Sequence, residues 1–173
     1  MKKKKLIILK KLNLNKDISK KYLNWMNDKE IHKYTEQKYK NHSFKDLKNF
    51  VKEKNRSKIE FLFGIFLKEN NQYIHIGNIK LGPINFIHKH AEISYFIGEK
   101  KMWGKGFTTL AIKEVIKIAK KKGLKKLKAG FIKMNIGSRK VLTKNGFKNE
   151  GIFRSEVIFN GKRVDAHWLG KII

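Results

Sequence analysis

The chain predicts a mixed α/β fold, a single domain over residues 1–173 with a central sheet of about six to seven strands and about four helices. Three observations carry this. Residues 90–132 run strand, glycine turn, helix, strand, a βαβ succession that brings two strands side by side in parallel. Apolar runs on either side are joined by short turn signals, Asn70-Asn71-Gln72 and Asn160-Gly161, which add antiparallel hairpins. Further stretches show helical spacing of apolar residues behind capping signals. At 40% hydrophobic and 12% aromatic residues with one proline, the chain has the material for a packed core.

In order, Leu6 to Leu9 reads as a first strand with lysines at its edge; the apolar run is too short for a secretory leader. Asn15 to Asp28 places Ile18, Tyr22, Trp25 and Met26 on one helical face, with Asn or Asp available as cap. Trp25 to Thr35 then reads as broken helical turns in which aromatic, amide and carboxylate groups (Trp25, Asn27, Asp28, Tyr34) lie together as a binding lip would; Trp25 and Tyr34 serve equally well as core anchors. Ser43-Phe44-Lys45-Asp46 is a capping-box pattern opening a helix to about Asn55. Ile59 to Leu67 and Tyr73 to Leu81 form a hairpin, which Gly82-Pro83 should end.

His90 to Gly98 is a strand carrying one carboxylate, Glu92, among apolar neighbours, and it leads into Lys101-Met102-Trp103-Gly104-Lys105-Gly106-Phe107-Thr108. Two glycines one residue apart let the backbone approach a ligand, and the helix that follows aims its first N–H groups and its positive dipole end at the same point. This is an anion seat, although a lone Gly-x-Gly is equally at home in a plain strand-to-helix turn. The helix buries Phe107, Leu110, Ala111, Val115 and Ala119 and ends at Gly123; Leu124 to Ile132 is the parallel strand. Asn135 to Asn145 is a short helix closed by Gly146-Phe147, and two strands, Ile152 to Phe159 and Val164 to Ile172, finish the chain.

The net charge of +28 raises the question of nucleic acid. Yet arginine occurs only at 56, 139, 154 and 163, and the remaining charge is lysine spread along a chain rich in Ile and Asn, the signature of AT-rich coding. Base reading favours arginine, and no nucleic-acid-binding motif is present, so no specific nucleic-acid partner is expected. The six histidines lack metal-ligand spacing, and with no cysteine the chain has no thiol nucleophile; no metal is expected. No run reaches transmembrane length, so the expectation is a cytoplasmic protein without a membrane partner.

Two motifs, correctly spaced and joined by the right elements, resemble the GNAT superfamily of acyl-CoA-dependent N-acyltransferases over essentially the whole chain. One is Lys101-Met102-Trp103-Gly104-Lys105-Gly106, similar to the family's (Arg/Gln)-x-x-Gly-x-(Gly/Ala); the other is Asn135-Ile136-Gly137-Ser138 followed by Gly146-Phe147. Trp-Gly-Lys-Gly-Phe, the Asn-x-x-Ser form and Glu150-Gly151 look most similar to the RimJ/RimL-like branch. The resemblance implies a GNAT fold whose splayed strand pair binds CoA, with acetyl-CoA as donor. Lys101, Met102, Trp103, Gly104, Lys105, Gly106, Phe107 and Thr108 would hold the pyrophosphate. Tyr95, Phe96 and Ile97 would pair with the pantetheine arm through their backbone, and Asn135, with Ser138 and Arg139 behind it, would contact that arm.

Two departures stand out. Lys101 keeps the charge of the usual arginine but not its fork. The helix position where many relatives carry a thiolate-protonating tyrosine is Leu142. Ser138 is then a candidate donor to the sulfur, or only a cap residue. Glu92, which matches a base position of some relatives, and Glu156 are the candidate bases; a carboxylate in apolar surroundings has a raised pKa suited to taking a proton from an ammonium. Asp165 and His167 are candidates to orient the acceptor. That acceptor is expected to be a small-molecule amine, an amino group of a nucleotide-linked sugar in surface-polysaccharide synthesis. The alternatives are a protein N-terminus, as in ribosomal-protein acetylation, and a non-catalytic polyanion- or RNA-binding module. The expected assembly is a monomer or homodimer.

Overall fold

Strand-forming runs separated by tight polar turns lay down a single sheet, and two helical layers cover its faces. The computed structural model describes residues 7–70 and 72–173, so Leu6, the initial lysines and the Asn71 of the first predicted turn lie outside the described residues. In chain order the elements are β1 (Ile7–Lys10), α1 (Lys20–Asn27), α2 (Phe44–Arg56), β2 (Phe61–Glu69), β3 (Gln72–Asn85), β4 (His90–Ile97), α3 (Phe107–Lys121), β5 (Lys126–Ile132), α4 (Ile136–Lys144), β6 (Lys148–Phe159) and β7 (Lys162–Ile172). Single 3-10 turns occupy Glu36–Tyr39 and Lys100–Met102. The seven strands follow the order β1-β2-β3-β4-β5-β7-β6. All neighbours are antiparallel except β4 and β5, the parallel pair that the βαβ succession requires.

Two predicted boundaries move for identifiable reasons. Helix α1 starts at Lys20 under a Ser19 cap, whose hydroxyl accepts from the Tyr22 N–H, and not under Asn or Asp. Asn13 and Asp17 are occupied in a turn of their own: Asn13 Oδ1 accepts from the N–H groups of Asn15 and Lys16, and Asp17 accepts from Asn13. Gly82-Pro83 does not end the second strand either. The ladder shifts register between Leu81 and Ile84, Ile84 N–H donates to Ile59 O at 2.8 Å, and β3 continues to Asn85. The predicted capping box is present in full, with Ser43 and Asp46 each accepting from the other's N–H.

The sheet separates two apolar clusters. On one face α3 packs Phe107, Ala111, Ile112, Val115 and Ala119 against Ile79, Leu81, Ala91, Ile93 and Leu127, and Leu142 of α4 joins them at 1% exposure. On the other, Tyr22, Trp25 and Met26 of α1 and Leu47 and Val51 of α2 cover Leu62 and Phe66. Strand alternation sends β4 residues to both: Ala91, Ile93 and Tyr95 towards α3 and α4, Glu92, Ser94 and Phe96 towards α1 and α2. Leu142 therefore fills core volume. Leu142→Ala should lower unfolding free energy by about 2–5 kcal/mol in urea titration, as expected for a leucine removed from a closed core.

Candidate active site between β4 and β5

Strands β4 and β5 are partners over only three residue pairs, from His90↔Lys126 to Glu92↔Lys128, and then part. Strand β5 stays with β7 to Ile132, and β4 stays with β3 to Gly77↔Ile97. Beyond Glu92, therefore, β4 has a neighbour on one side only. The ladder fixes which groups face the gap. Gly98 N–H donates to Ile76 O, which makes 98–76, 96–78 and 94–80 the bonded pairs of this antiparallel ladder. The N–H and C=O groups of Ile93, Tyr95 and Ile97 consequently point towards β5. One of these, Ile97 O, accepts from Trp103 Nε1 at 2.8 Å, which fastens the next turn to the strand end.

That turn is the predicted glycine stretch. Gly104 and Gly106 have φ of 70° and 83°, a left-handed conformation that a side chain would strain, and a Cβ at either would meet nothing within 4 Å. Gly106 is the N-cap of α3, and no side chain caps this fifteen-residue helix. An α-helix leaves its first N–H groups without partners inside the helix, and the turn that leads into this one, Trp103 to Gly106, is exposed, as is Lys101. The arrangement fits an anionic phosphate group.

Across the gap stands the start of α4. Asn135 caps it, Oδ1 accepting from Ser138 N–H at 3.0 Å, so its amide NH₂ remains available to a ligand. Ser138 Oγ accepts a hydrogen bond from the Tyr95 hydroxyl at 3.3 Å, a contact that closes the gap from β4 to α4 and that the sequence did not suggest. Burial pushes the Tyr95 phenol up to about 12, with Ser138 acting the other way, so it is a donor at any ordinary pH. Arg139 is exposed on the same helical turn.

On the α1–α2 face, a cavity of about 440 Å³ opens against the same stretch of β4. Its floor is Ser94, Tyr95 and Phe96 with their β3 neighbours Asn78 and Lys80; its walls are His32, Thr35, Gln37, Lys40, His42, Asp46 and Phe50. His32 is 2% exposed, lies edge-on to Phe96 with ring centroids 5.0 Å apart, and meets Thr35 Oγ1 through Nδ1 at 3.3 Å. Burial, and then the neighbouring His42, hold the His32 pKa below its ordinary value. Burial does the same at His42, with Lys40 assisting against Asp46. The cavity is thus lined by neutral hydrogen-bonding groups and two lysines. Its one carboxylate, Asp46, is occupied by the Ser43 N–H and hydroxyl. Lys80 is held by Glu60 at 2.6 Å.

Of the residues assigned to the acceptor, the structure brings few to this cavity. Trp25 is 6% exposed, its indole lies 5.1 Å from the His75 ring, and a Cβ at Gly98 would run into it; the indole is a core anchor. Asn27 is bonded both ways to the His42 backbone. Asp28 accepts from the Glu30 and Ile31 N–H groups and pairs with Lys100 at 2.8 Å; against the upward pull of burial, Lys100 and these N–H groups keep its carboxyl below the usual range. Tyr34 stacks on Phe159. These side chains position the His32 to His42 segment. Asp165 is bonded to Ser155 N–H and Arg154 within the β6–β7 hairpin, and His167 stacks on Phe131, a member of the α3–α4 core. Glu156 is exposed where β6 bulges between Phe153 and Val157. Glu92 is half-buried on the cavity face of β4, one alternation deeper than Ser94, with Lys128 as its β5 partner.

Comparison with known proteins bears on this geometry. A family model described as an acetyltransferase (GNAT) domain matches residues 7–148. A probable N-acetyltransferase, YjcK, of Bacillus subtilis (strain 168) is 38% identical over 104 residues, 59% of this chain and 56% of that protein. A putative phosphinothricin acetyltransferase, YwnH, of the same organism is 34% identical over 84 residues, 49% of this chain and 51% of that one. The chain thus spans about half the length of the curated relatives it matches. Among solved structures, spermidine N-acetyltransferase from Vibrio cholerae in complex with CoA and spermine superposes with a TM-score of 0.83 at 23% identity, over 96% of this chain and 95% of that one. The microcin C7 self-immunity acetyltransferase MccE with acetyl-CoA and AMP gives 0.81 at 23%, over 96% and 92%. At these identities the superpositions establish the fold.

Two predictions test the packing around the site. Gly98→Ala should cost about 1–3 kcal/mol of stability by forcing the Trp25 indole aside, visible as a changed tryptophan emission together with a lower urea midpoint. The second concerns pH. Burial holds His32, His42, His75 and His90 below their ordinary value of 6.5. The unfolded chain therefore binds protons near that pH which the folded chain refuses, and stability is complete above it and declines as pH falls through it. Melting temperature should drop between about pH 7 and about pH 5, before the depressed carboxylates begin to titrate. A flat profile across that window would contradict the placement of these rings.

Proposed function

The chain belongs to the GNAT acetyltransferase family, and from this premise we propose that it carries the acetyl group of acetyl-CoA to the primary amine of a small polar acceptor within a ternary complex. The observation that carries the reading is the gap between β4 and β5. A pantetheine arm has amide groups that need strand-like partners, and the open edge at Tyr95 and Ile97 supplies them. At the Ile97 end of that edge the chain leads to the start of α3, for the pyrophosphate; across the gap, beside Tyr95, lie Asn135 and Ser138. We place the chain in the RimJ/RimL-like branch on Trp103 to Phe107 and the Asn135 to Ser138 motif.

In this reading acetyl-CoA lies along β4 and the acceptor enters from the α1–α2 face. The neutral amine attacks the thioester carbonyl, the C–S bond breaks, and the backbone N–H groups of the open edge stabilise the oxyanion. With no cysteine in the chain, transfer is direct. Glu92 reaches the cavity through water and takes the amine proton, whereas Glu156, exposed in the β6 bulge, takes no part. The acceptor is an amino group on a nucleotide-linked sugar. The cavity has lysines and neutral hydrogen-bonding groups but no uncommitted carboxylate among its lining residues, which suits a hydroxyl-rich, anionic molecule and disfavours a polycation.

The test mixes the protein with acetyl-CoA, measures released CoA, and offers an amino-sugar nucleotide, N-terminal peptides and spermidine in turn. Acetyl-CoA should raise the melting temperature, and the amino-sugar nucleotide should give the highest kcat/KM. A preference for spermidine would overturn the acceptor alone; no thermal shift and no consumption with any amine would overturn the transferase reading. Glu92→Gln should lower kcat/KM about a hundredfold with its pH dependence flattened, while Glu156→Gln should match the parent across pH.

A further inference from the structure

The helix position that would carry a thiolate-facing tyrosine is filled here by Leu142, sealed in the core at 1% exposure. A phenol nevertheless stands at the start of the same helix, supplied by the neighbouring strand. Tyr95 sends its ring from β4 towards α4 while its backbone faces the open gap, and its hydroxyl donates to Ser138 Oγ at 3.3 Å. Ser138 is itself fixed through its N–H by Asn135 Oδ1 at 3.0 Å. A serine hydroxyl has one hydrogen to give and lone pairs to receive; once Tyr95 supplies a hydrogen to one lone pair, the hydrogen of Ser138 must be directed elsewhere.

Resting on the acetyl-CoA reading above, we propose that Tyr95 is a positioning residue for acetyl transfer, orienting the Ser138 O–H towards the sulfur that departs from the thioester. The reacting atoms balance without either hydroxyl losing its proton. The amine nitrogen forms the C–N bond, the C–S bond breaks with its electron pair passing to sulfur, the nitrogen passes its proton through water to Glu92, and the thiolate recovers one from water on leaving. Tyr95 and Ser138 contribute a directed hydrogen bond that strengthens as charge grows on sulfur. The phenol is suited to this because burial keeps it protonated, so it remains a donor throughout the cycle. The strand thus delivers what the helix, with leucine at its inward position, cannot.

The experiment uses Tyr95→Phe, which keeps the ring and removes the hydroxyl, alongside Ser138→Ala and the double variant. Each single variant should lower kcat about tenfold with little change in KM for acetyl-CoA, and the double variant should be no worse than Ser138→Ala, because Tyr95 acts through Ser138. A second readout needs no acceptor amine. The thiolate absorbance of bound CoA, followed against pH, should show the bound thiol titrating at lower pH in the parent than in either variant, by about one unit. Effects of Tyr95→Phe and Ser138→Ala that multiply in the double variant would overturn the proposal. So would a bound thiol that titrates identically in parent and Tyr95→Phe. If the parent binds no CoA at all, the acetyl-CoA reading fails and this role fails with it; if CoA binds but its titration is indifferent to Tyr95, only this role fails.

Discussion

Everything at the candidate site depends on the early end of one strand pairing. After Glu92↔Lys128 the parallel ladder stops, and strand β4 runs on with its β5 side unpaired. Backbone N–H and C=O groups that leave a ladder must find other partners. Ile97 O finds the Trp103 indole; the backbone groups of Tyr95 face the gap, where β5 has parted from β4 among the described residues. A ligand whose own amides repeat along its length completes that ladder as a further strand would. The glycine turn then follows the Ile97 end of the groove that the missing pairing has drawn, and the α4 cap stands across it from Tyr95.

The same opening joins two faces that a continuous sheet would keep apart. On the α3–α4 face lie the helix starts, one uncapped and one holding Ser138; on the α1–α2 face lies the cavity floored by Ser94 and Phe96. In the proposed reading, an acyl donor in the gap meets an acceptor on the opposite face without either crossing a packed core. This division also sorts the predicted residues. Tyr95 projects to the helix side and Glu92 to the cavity side because they are an odd number of residues apart on one strand.

What the sequence made legible was what is local. The βαβ unit, the glycine turn at Lys101 to Phe107, the short helix after Asn135 and the Asn160-Gly161 hairpin are each written in a few consecutive residues, and all occur where expected. The cavity was not legible, because its lining comes from α1, the segment after it, α2, β3 and β4, and only the strand register brings Asn78 beside Phe96 and Lys80 beside Ser94. That register holds as far as Leu81↔Ile93 and shifts only beyond it, where Gly82-Pro83 had suggested an end. The side chains of Trp25, Asn27, Asp28 and Tyr34, expected to form a binding lip, are engaged within the scaffold. His32 and His42, close by in sequence, carry the cavity wall, since only packing decides which way a side chain in an irregular segment turns.

The lysine-rich composition hides a small number of lysines with particular positions. Lys100, at the head of the glycine turn, pairs with Asp28 and Glu30, and Lys21 of α1 pairs with Glu99 at 2.9 Å. These exposed pairs are individually worth little in stability. Their arrangement matters more than their strength, because they fasten the segment leading to His32 onto the turn that begins the anion seat. The Trp25 indole packed against Gly98 fastens the same two places from the apolar side. The wall of the cavity and the glycine turn are therefore braced against one another, by Trp25 on Gly98, Lys21 on Glu99 and Asp28 on Lys100.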